Sequence, residues 1–392
     1  MLASKLTHRL AIAVGRMSLV SSPIRAQQIA PTLPTLKMLK VATPPLPPDG
    51  KLPNRHKLNA ATVTVITAPV GGAWAPMGSD MARVLDGENL RILPIIGRGS
   101  VQNLVDVMLL KGVDMGFAVS DSLEFFTKEY QVPNIKQRVA YIVPLYTNDL
   151  HIVARKDVKT IHDLAGKKIM SERNLGYFSV TNIFDRLKIR ADIDSKTDDA
   201  MGLQKMLNGE ADAWIVSAGK IAPIARNIKN EEGKFHFVPV PYEPQLEDLY
   251  LPSSLTNAEY PNLVAPGERV ETVAAPVLLM VYNWPQGSDR YLRLAKFIDA
   301  FFSRIDQFHE PSRHPKWRDT NLTAPVPGWQ RFKPAEEWLA RHKQAVSEPN
   351  TTPAIDTVLA RQRARRVDPA DTTQQKRLLQ NFLEWSKKQE GR

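Results

Sequence analysis

Apolar and polar positions between Thr62 and Asp121 alternate between two periods. Thr62–Thr67 is a β-branched run and predicts a strand, while Ala75–Leu85 carries Met77, Met81, Val84 and Leu85 at helical spacing. Leu90–Ile96 predicts a second strand, Val101–Leu110 a second helix and Val113–Val119 a third strand. Strict alternation joined by short turns points to βαβ units and a parallel sheet. Gln137–Pro144 predicts a fourth strand, and Leu145–Arg155 continues extended, with a hinge near Thr147–Leu150. The same grammar then repeats: strand Lys167–Met170, helices Ser179–Leu187 and Asp198–Leu207, strand Ala211–Val216, helix Ile221–Ile228 and strand Phe235–Val240. Leu251–Val270 reads as loop and Val273–Val281 as a returning strand. Tyr291–Phe308 reads as one amphipathic helix with Leu294, Phe297, Ile298, Phe301, Ile305 and Phe308 at threes and fours. Pro311–Pro334 reads as an extended, proline- and aromatic-rich arm. Glu336–Gln344, Ala354–Arg365 and Thr373–Lys387 read as helices.

The turns carry the functional signal. Pro69–Ala73, Gly97–Ser100 and Ser120–Ser122 each follow a strand and precede a helix. In open α/β sheets ligands bind beyond the carboxyl ends of strands, where helix N-termini present free N–H groups. Each turn taken alone is equally an ordinary capped turn. Three in succession line one wall of a cleft.

The run GGAWAPMGSDMARVL is similar to the glycine-rich, aromatic opening of TAXI solute-binding proteins, the extracytoplasmic receptors of TRAP transporters. GRGSVQNLVDVMLLKGVDMGFAVSD resembles the family's next stretch, and the phrase Ile161-His162-Asp163-Leu164-Ala165-Gly166-Lys167 resembles one found across many binding proteins. The likeness is dense over Val63–Asp121 and thinner to about Phe308. It implies an α/β, two-lobed type 2 periplasmic-binding fold: two mostly parallel sheets flanked by helices and joined by a two-strand hinge. On that reading lobe 1 comprises residues 59–148 plus 272–310 and lobe 2 residues 149–271. Two departures alter the family's site. Ser171–Ser179 is bulkier and more charged than the usual Gly-Ser-Gly-Thr loop, and Trp74-Ala75 stands where relatives often have two tyrosines.

The chain has 392 residues, 52 Lys and Arg against 41 Asp and Glu, a net charge of +11, and 30 prolines. The excess sits in the tails: residues 1–58 carry +8 and residues 311–392 carry +7, leaving the centre at −4. A nucleic-acid binder keeps its positive patch on the folded surface, so this distribution argues against one. It fits solvated tails or a peripheral contact with an anionic membrane face. Residues 1–30 (basic start, short apolar run, small residues near Ala26) read as a weak export signal or N-terminal tether. Residues 31–58 read as a proline-rich linker and 311–392 as an arm with terminal helices. The absence of cysteine removes disulfides, thiol catalysis and Cys-ligated metal.

Searching for chemistry finds no nucleophile elbow, Walker loop, His-Glu-x-x-His or strand-linked Gly-x-Gly-x-x-Gly. A binding site has more support. Trp74 is either a lid over a guest or a core anchor. Arg98, beside the helix start at Ser100, is either a carboxylate clamp or an exposed loop arginine. Ser100, Asn103, Ser120 and Asp121 match the family motif as short polar contacts. Tyr146 flanks the hinge, and Tyr177, Ser179, Thr181, Ser217 and Lys220 face the cleft from lobe 2. The expectation is a periplasmic, non-enzymatic protein that captures a small carboxylate by hinge closure and delivers it to a TRAP-type permease, without cofactor, metal or nucleic acid. The rivals are an enzyme on the same fold and a cytoplasmic ligand-sensing domain.

Overall fold

The structure is a computed structural model that describes residues 55–342, apart from 88 and 231. The expected leader, most of the linker, and the helices at Ala354–Arg365 and Thr373–Lys387 lie outside the described residues.

Lobe 1 opens with α1 (Arg55–Ala61), β1 (Thr62–Ile66), α2 (Trp74–Leu85), β2 (Arg91–Ile95), α3 (Ser100–Leu109), β3 (Met115–Val119) and α4 (Ser122–Tyr130). A short α5 (Ile135–Arg138) then leads into β4 (Val139–Arg155), 17 residues long. β1 pairs in parallel with β2, Thr62 opposite Arg91, and with β3, Val65 opposite Met115. Lobe 2 supplies β5 (Lys168–Met170), α6 (Phe178–Leu187), β6 (Asp192–Asp194), α7 (Asp199–Leu207), β7 (Ala213–Ala218), α8 (Pro223–Arg226), β8 (Phe235–Phe237) and β9 (Leu251–Thr256). β5 pairs in parallel with both β6 and β7. β10 (Arg269–Tyr282) returns antiparallel to β4, from Ala274 opposite Asp149 to Tyr282 opposite Val139.

The resulting ten-stranded sheet has the order β2-β1-β3-β10-β4-β7-β5-β6, with β8 on β4 and β9 on β10. Two parallel trios are therefore joined by two long antiparallel strands that belong to both. β4 pairs with β10 up to Asp149 and with β7 from there on. β10 pairs with β9 over Arg269–Ala274 and with β3 over Val277–Val281. This is the two-lobed fold with a two-strand hinge.

Alternation along the strands sorts side chains between two layers. In β3, Met115, Phe117 and Val119 join Met77, Met81 and Leu85 of α2, whereas Ala118 joins Leu104 and Val107 of α3 and Phe126 of α4. The stripe predicted after β10 docks on the α2 side, with Leu294, Phe297, Ile298, Phe301 and Phe308 buried. It is two helices rather than one. Arg304, at φ −116° and ψ 19°, ends α9 (Asp289–Ser303) before α10 (Ile305–Phe308).

Other differences have equally local causes. The start of the expected loop Leu251–Val270 is strand β9, whose polar LPSSLT sequence hides it and whose edge position accommodates Pro252. The polar edge strand β6 has no apolar run to announce it. The expected helix Ile221–Ile228 shrinks to Pro223–Arg226 because proline starts it late. The arm is extended over most of its course but makes a 3₁₀ turn at Pro315–Asp319 that buries Trp317, and α11 (Lys333–Arg341) follows it. Among the described residues no helix is long and apolar enough to cross a membrane.

Candidate functional site: the seam between the lobes

The three predicted turns are built differently from one another. At the second, Gly97 is required by contact: a Cβ there would lie 2.5 Å from Asn103 Oδ1 and 2.6 Å from the Thr67 carbonyl. Asn103 is fully buried, and its Nδ2 donates to the carbonyls of Thr67 and Phe117 at 2.7 and 2.8 Å. It thereby ties the ends of β1 and β3 to α3. Ser100 is also buried, and its Oγ accepts from the Val119 N–H at 2.6 Å. Of the motif positions expected as ligand contacts, Ser100 spends its hydroxyl and Asn103 its amide Nδ2 inside lobe 1, while Asn103 Oδ1 is left without a partner. Arg98 is exposed, and among the described residues no hydrogen bond or ion pair joins it to another candidate.

The third turn meets lobe 2. Ser120 and Asp121 are buried just before α4. The Asn182 Nδ2 of α6 donates to the Asp121 carbonyl at 2.9 Å, and the Tyr250 hydroxyl donates to Asp121 Oδ2 at 3.0 Å. Ser179 faces the same carboxyl. Burial pushes the Asp121 carboxyl up to about 6, because removal from water disfavours the ion more than these contacts favour it. Around this core the edges of the seam are charged or aromatic. Arg186 reaches Glu124 at 3.3 Å, Lys128 reaches Asp185 at 3.4 Å, and Tyr177 sits edge-on to Phe125 at 5.8 Å.

At the hinge, Trp74 Nε1 donates to the Tyr146 hydroxyl at 2.9 Å while its ring stacks on Phe117 at 5.7 Å. Trp74 is thus buried and packed, yet held to the hinge strand. Asn148 donates to the carbonyl of Ser217 at 3.2 Å. Asp149 is buried 3.4 Å from Lys220, which donates to the Ser254 carbonyl at 2.8 Å. Lys316, from the arm, lies 5.3 Å from the Tyr146 ring centroid. A Cβ on Gly219 would be 3.0 Å from Tyr146 Cε2 and 3.1 Å from Lys316 Cε, so the absence of a side chain there admits the lysine.

Thirteen buried side-chain polar atoms among the described residues lack a partner. Seven of them are Ser120 Oγ and Asp121 Oδ1 from lobe 1, Asn148 Oδ1 from the hinge, and Ser179 Oγ, Thr181 Oγ1, Asn182 Oδ1 and Arg186 Nε from lobe 2. The other six, Asn103 Oδ1, Trp284 Nε1, the Tyr291 hydroxyl, His309 Nε2, Arg313 Nε and Thr320 Oγ1, lie elsewhere in the fold. A surface concavity of about 430 Å³ lies elsewhere, between α2 and the arm. Its wall sets Arg83 and Arg313 against Asp80, whose carboxylate already accepts from the His314 N–H and Trp317 Nε1.

The structure therefore joins Trp74 with Tyr146, Asp121 with Ser179, and Lys220 with Asp149, while the Ser120 carbonyl accepts from Trp329 Nε1 of the arm. Arg98, Ser100 and Asn103 remain apart from these groups. Sequence reasoning missed Tyr250, Asn182, Asp149 and Lys316. Asn182 follows Ser179 at helical i+3 spacing, which was a usable signal; Tyr250 and Lys316 sit in no recognisable motif.

Residues 65–318 match the NMT1-like family. The chain belongs to that family. Among curated proteins, no sequence matches it. Three solved structures illustrate what this NMT1-like chain resembles. Holo ArgBP from T. maritima is 13% identical with a TM-score of 0.36, aligned over 64% of this chain and 93% of its own. The GluR0 ligand-binding core from Nostoc punctiforme, in complex with L-glutamate, is 16% identical with a TM-score of 0.39, over 66% and 99%. A TctC solute-binding protein from Polaromonas is 14% identical with a TM-score of 0.38, over 63% and 88%.

Proposed function

We propose that this NMT1-like protein captures a small organic solute between its lobes by hinge closure, outside the cytoplasmic membrane, and passes it unaltered to a membrane transporter. The carrying observation is that seven of the thirteen unpaired buried side-chain polar atoms among the described residues fall on residues 120–121, 148 and 179–186, spread over both lobes and the hinge. An unsatisfied buried polar group costs about 1–3 kcal/mol, and such groups are few in folded proteins. Their gathering at one seam is what the polar groups of a guest would complete. A guest touching both walls stabilises the closed arrangement over the open one by the difference in contacts.

In its finer form the reading takes the solute as a carboxylate and the transporter as TRAP-type, on the strength of the TAXI resemblance. Residues 1–30 then act as the export leader, 59–148 plus 272–310 as lobe 1, and 149–271 as lobe 2. Lys220, paired with Asp149, and Lys316, paired with Asp319, are ammonium groups at the hinge, and Arg98 is an exposed cation on the second turn.

The test is a thermal-shift screen of the full chain against carboxylates, amino acids and small aromatic acids, followed by small-angle scattering and mass spectrometry. A supporting hit raises Tm, lowers the radius of gyration and is recovered unchanged. A chemically altered guest overturns the reading in favour of an enzyme. For a carboxylate hit, Arg98→Ala is expected to weaken binding about tenfold, which corresponds to roughly 1.4 kcal/mol. Unchanged affinity removes Arg98 from the site.

A further inference from the structure

Away from the seam, the concavity of about 430 Å³ between α2 and the arm gathers positive charge without satisfying it. Ser79 and Arg83 line it from α2, and Ser312, Arg313 and His314 from the arm. Arg83 is exposed, and its side chain makes no hydrogen bond or ion pair to another described residue. Arg313 is partly buried and only loosely held. Its Nη2 reaches Glu310 at 4.0 Å, and its Nε is buried without a partner. A guanidinium N–H withdrawn from water and left unmet is costly. Asp80, the acidic residue of the wall, does not meet it: Asp80 Oδ2 accepts from the His314 N–H at 2.8 Å and Trp317 Nε1 at 3.1 Å, and Asp80 forms no ion pair with either arginine. Ser79 spends its hydroxyl proton on the Ala75 carbonyl at 3.1 Å, whereas the Ser312 hydroxyl is exposed and able to donate. His314 Nδ1 accepts from the Lys316 N–H at 3.3 Å, which puts the proton of the neutral ring on Nε2. The wall thus offers two guanidiniums, a hydroxyl and an imidazole N–H, against one carboxylate that is already engaged.

We infer that this concavity is a second binding site, for a phosphate monoester, with Arg83 of α2 and Arg313 of the arm taking the phosphate between them. Guanidinium groups meet phosphate oxygens in paired, charge-assisted hydrogen bonds. The volume falls in the range of small-molecule sites, about 300–1,000 Å³, and leaves room for an organic group beside the phosphate. The ester can be soluble or a lipid headgroup, since the chemistry at the arginines is the same. Both walls lead to one hinge residue. α2 begins at Trp74, whose Nε1 donates to the Tyr146 hydroxyl, and Lys316, two residues beyond His314, lies over the Tyr146 ring. A phosphate held by both walls braces the arm against the hinge. The inference does not depend on what the seam binds.

The experiment uses the full chain and two phosphate probes. Calorimetry with glycerol 3-phosphate, against glycerol at the same ionic strength, reads the soluble source. Flotation with phosphatidylcholine vesicles containing phosphatidic acid, against phosphatidylcholine alone, reads the lipid source. Saturable binding of at least one phosphate probe is expected, weakened at least tenfold in Arg83→Gln and in Arg313→Gln. Because Arg83 is exposed, Arg83→Gln should keep the wild-type Tm, which separates loss of binding from loss of fold. Hydrogen exchange should slow at the amides of His314 and Trp317 when the probe binds wild type, and stay unchanged in Arg83→Gln. Binding of glycerol 3-phosphate without vesicles assigns a soluble ester, and the reverse assigns a lipid. Phosphate binding that neither substitution weakens puts the probe elsewhere, the seam and the basic tails included, and overturns the inference. Silence of both probes on the wild type overturns it as well, and leaves the solute-binding reading of the seam untouched.

Discussion

Asp121 and His151 show how burial sets the charge state of single residues. The Asp121 carboxyl, raised to about 6, binds its proton more tightly in the folded protein than in the unfolded chain. Its contribution to stability is complete below about pH 3.8 and is lost as pH rises through 6. Asp199 behaves in the same sense, at about 6, its burial outweighing the bond it accepts from Trp214 Nε1. Each shift corresponds to about 3 kcal/mol at most. Asp121→Asn is therefore expected to raise Tm more at pH 7.5 than at pH 4.5, relative to wild type; an equal shift at both would contradict the burial account. His151 is the reverse case. It is fully buried, its Nδ1 lies 2.9 Å from the Asp149 carbonyl, and its Nε2 lies 2.6 Å from the Tyr260 hydroxyl. Desolvation lowers it to about 4, so its stabilisation is present above pH 6.5 and is lost as pH falls toward 4. The ring resonances of His151 should stay constant between pH 5 and 7 in an NMR titration.

The arm is the element whose behaviour departs most from its composition. Proline-rich and basic, it nonetheless pairs with the edge of the lobe 1 sheet: Tyr141 N–H donates to the Gln330 carbonyl and Phe332 N–H to the Tyr141 carbonyl, at 3.0 and 2.8 Å. Arg331 lies over the Tyr141 ring at 4.7 Å and donates to the carbonyls of Leu322 and Ala324 at 2.7 Å each. Trp317 is sealed among Phe301 and Phe308 with its N–H on Asp80. Covering an otherwise open sheet edge removes a site for aberrant strand pairing. Trp317→Ala is expected to cost about 3–5 kcal/mol, a loss that urea denaturation would measure. Asn103→Ala should cost roughly 2–4 kcal/mol, since it strands two buried carbonyls at the ends of β1 and β3. A cost below 1 kcal/mol would show that the turn does not depend on those bonds.

At the scale of the whole molecule, the lobes are held together by a polar latch: Asp121 with Tyr250, Glu124 with Arg186, and Lys128 with Asp185. The ion pairs are partly exposed and individually worth little, about 0–1 kcal/mol. Salt screens them, whereas the buried Asp121–Tyr250 bond is shielded. Tyr250→Phe, which leaves Asp121 Oδ2 without its donor, should therefore open the lobes more than Arg186→Ala does. Scattering would read this as the larger increase in radius of gyration, and the opposite ranking would place the latch in the surface pairs.

What the sequence determined by itself is what local periodicity encodes. The β-branched runs at Thr62–Thr67 and Val113–Val119, the Met77–Leu85 face and the stripe from Leu294 to Phe308 are legible because each buries one side against a sheet, and that requirement repeats every two or every three to four residues. The two-lobed architecture was legible through the order of these runs together with the family resemblance. Polar edge strands such as β6 and β9 were not, because a strand with little to bury leaves no pattern. The site was only partly legible, for a different reason. Ser100 and Ser120 stand in equivalent turns and look alike in sequence, yet one hydroxyl is consumed by Val119 and the other is left unpaired at the seam. Tyr250 meets Asp121 across 129 residues of chain, and Lys316 reaches Tyr146 across 170, because the two long hinge strands and the returning arm bring them together. Hydrogen bonding is decided by distance and direction in space, and only the tertiary structure supplies those.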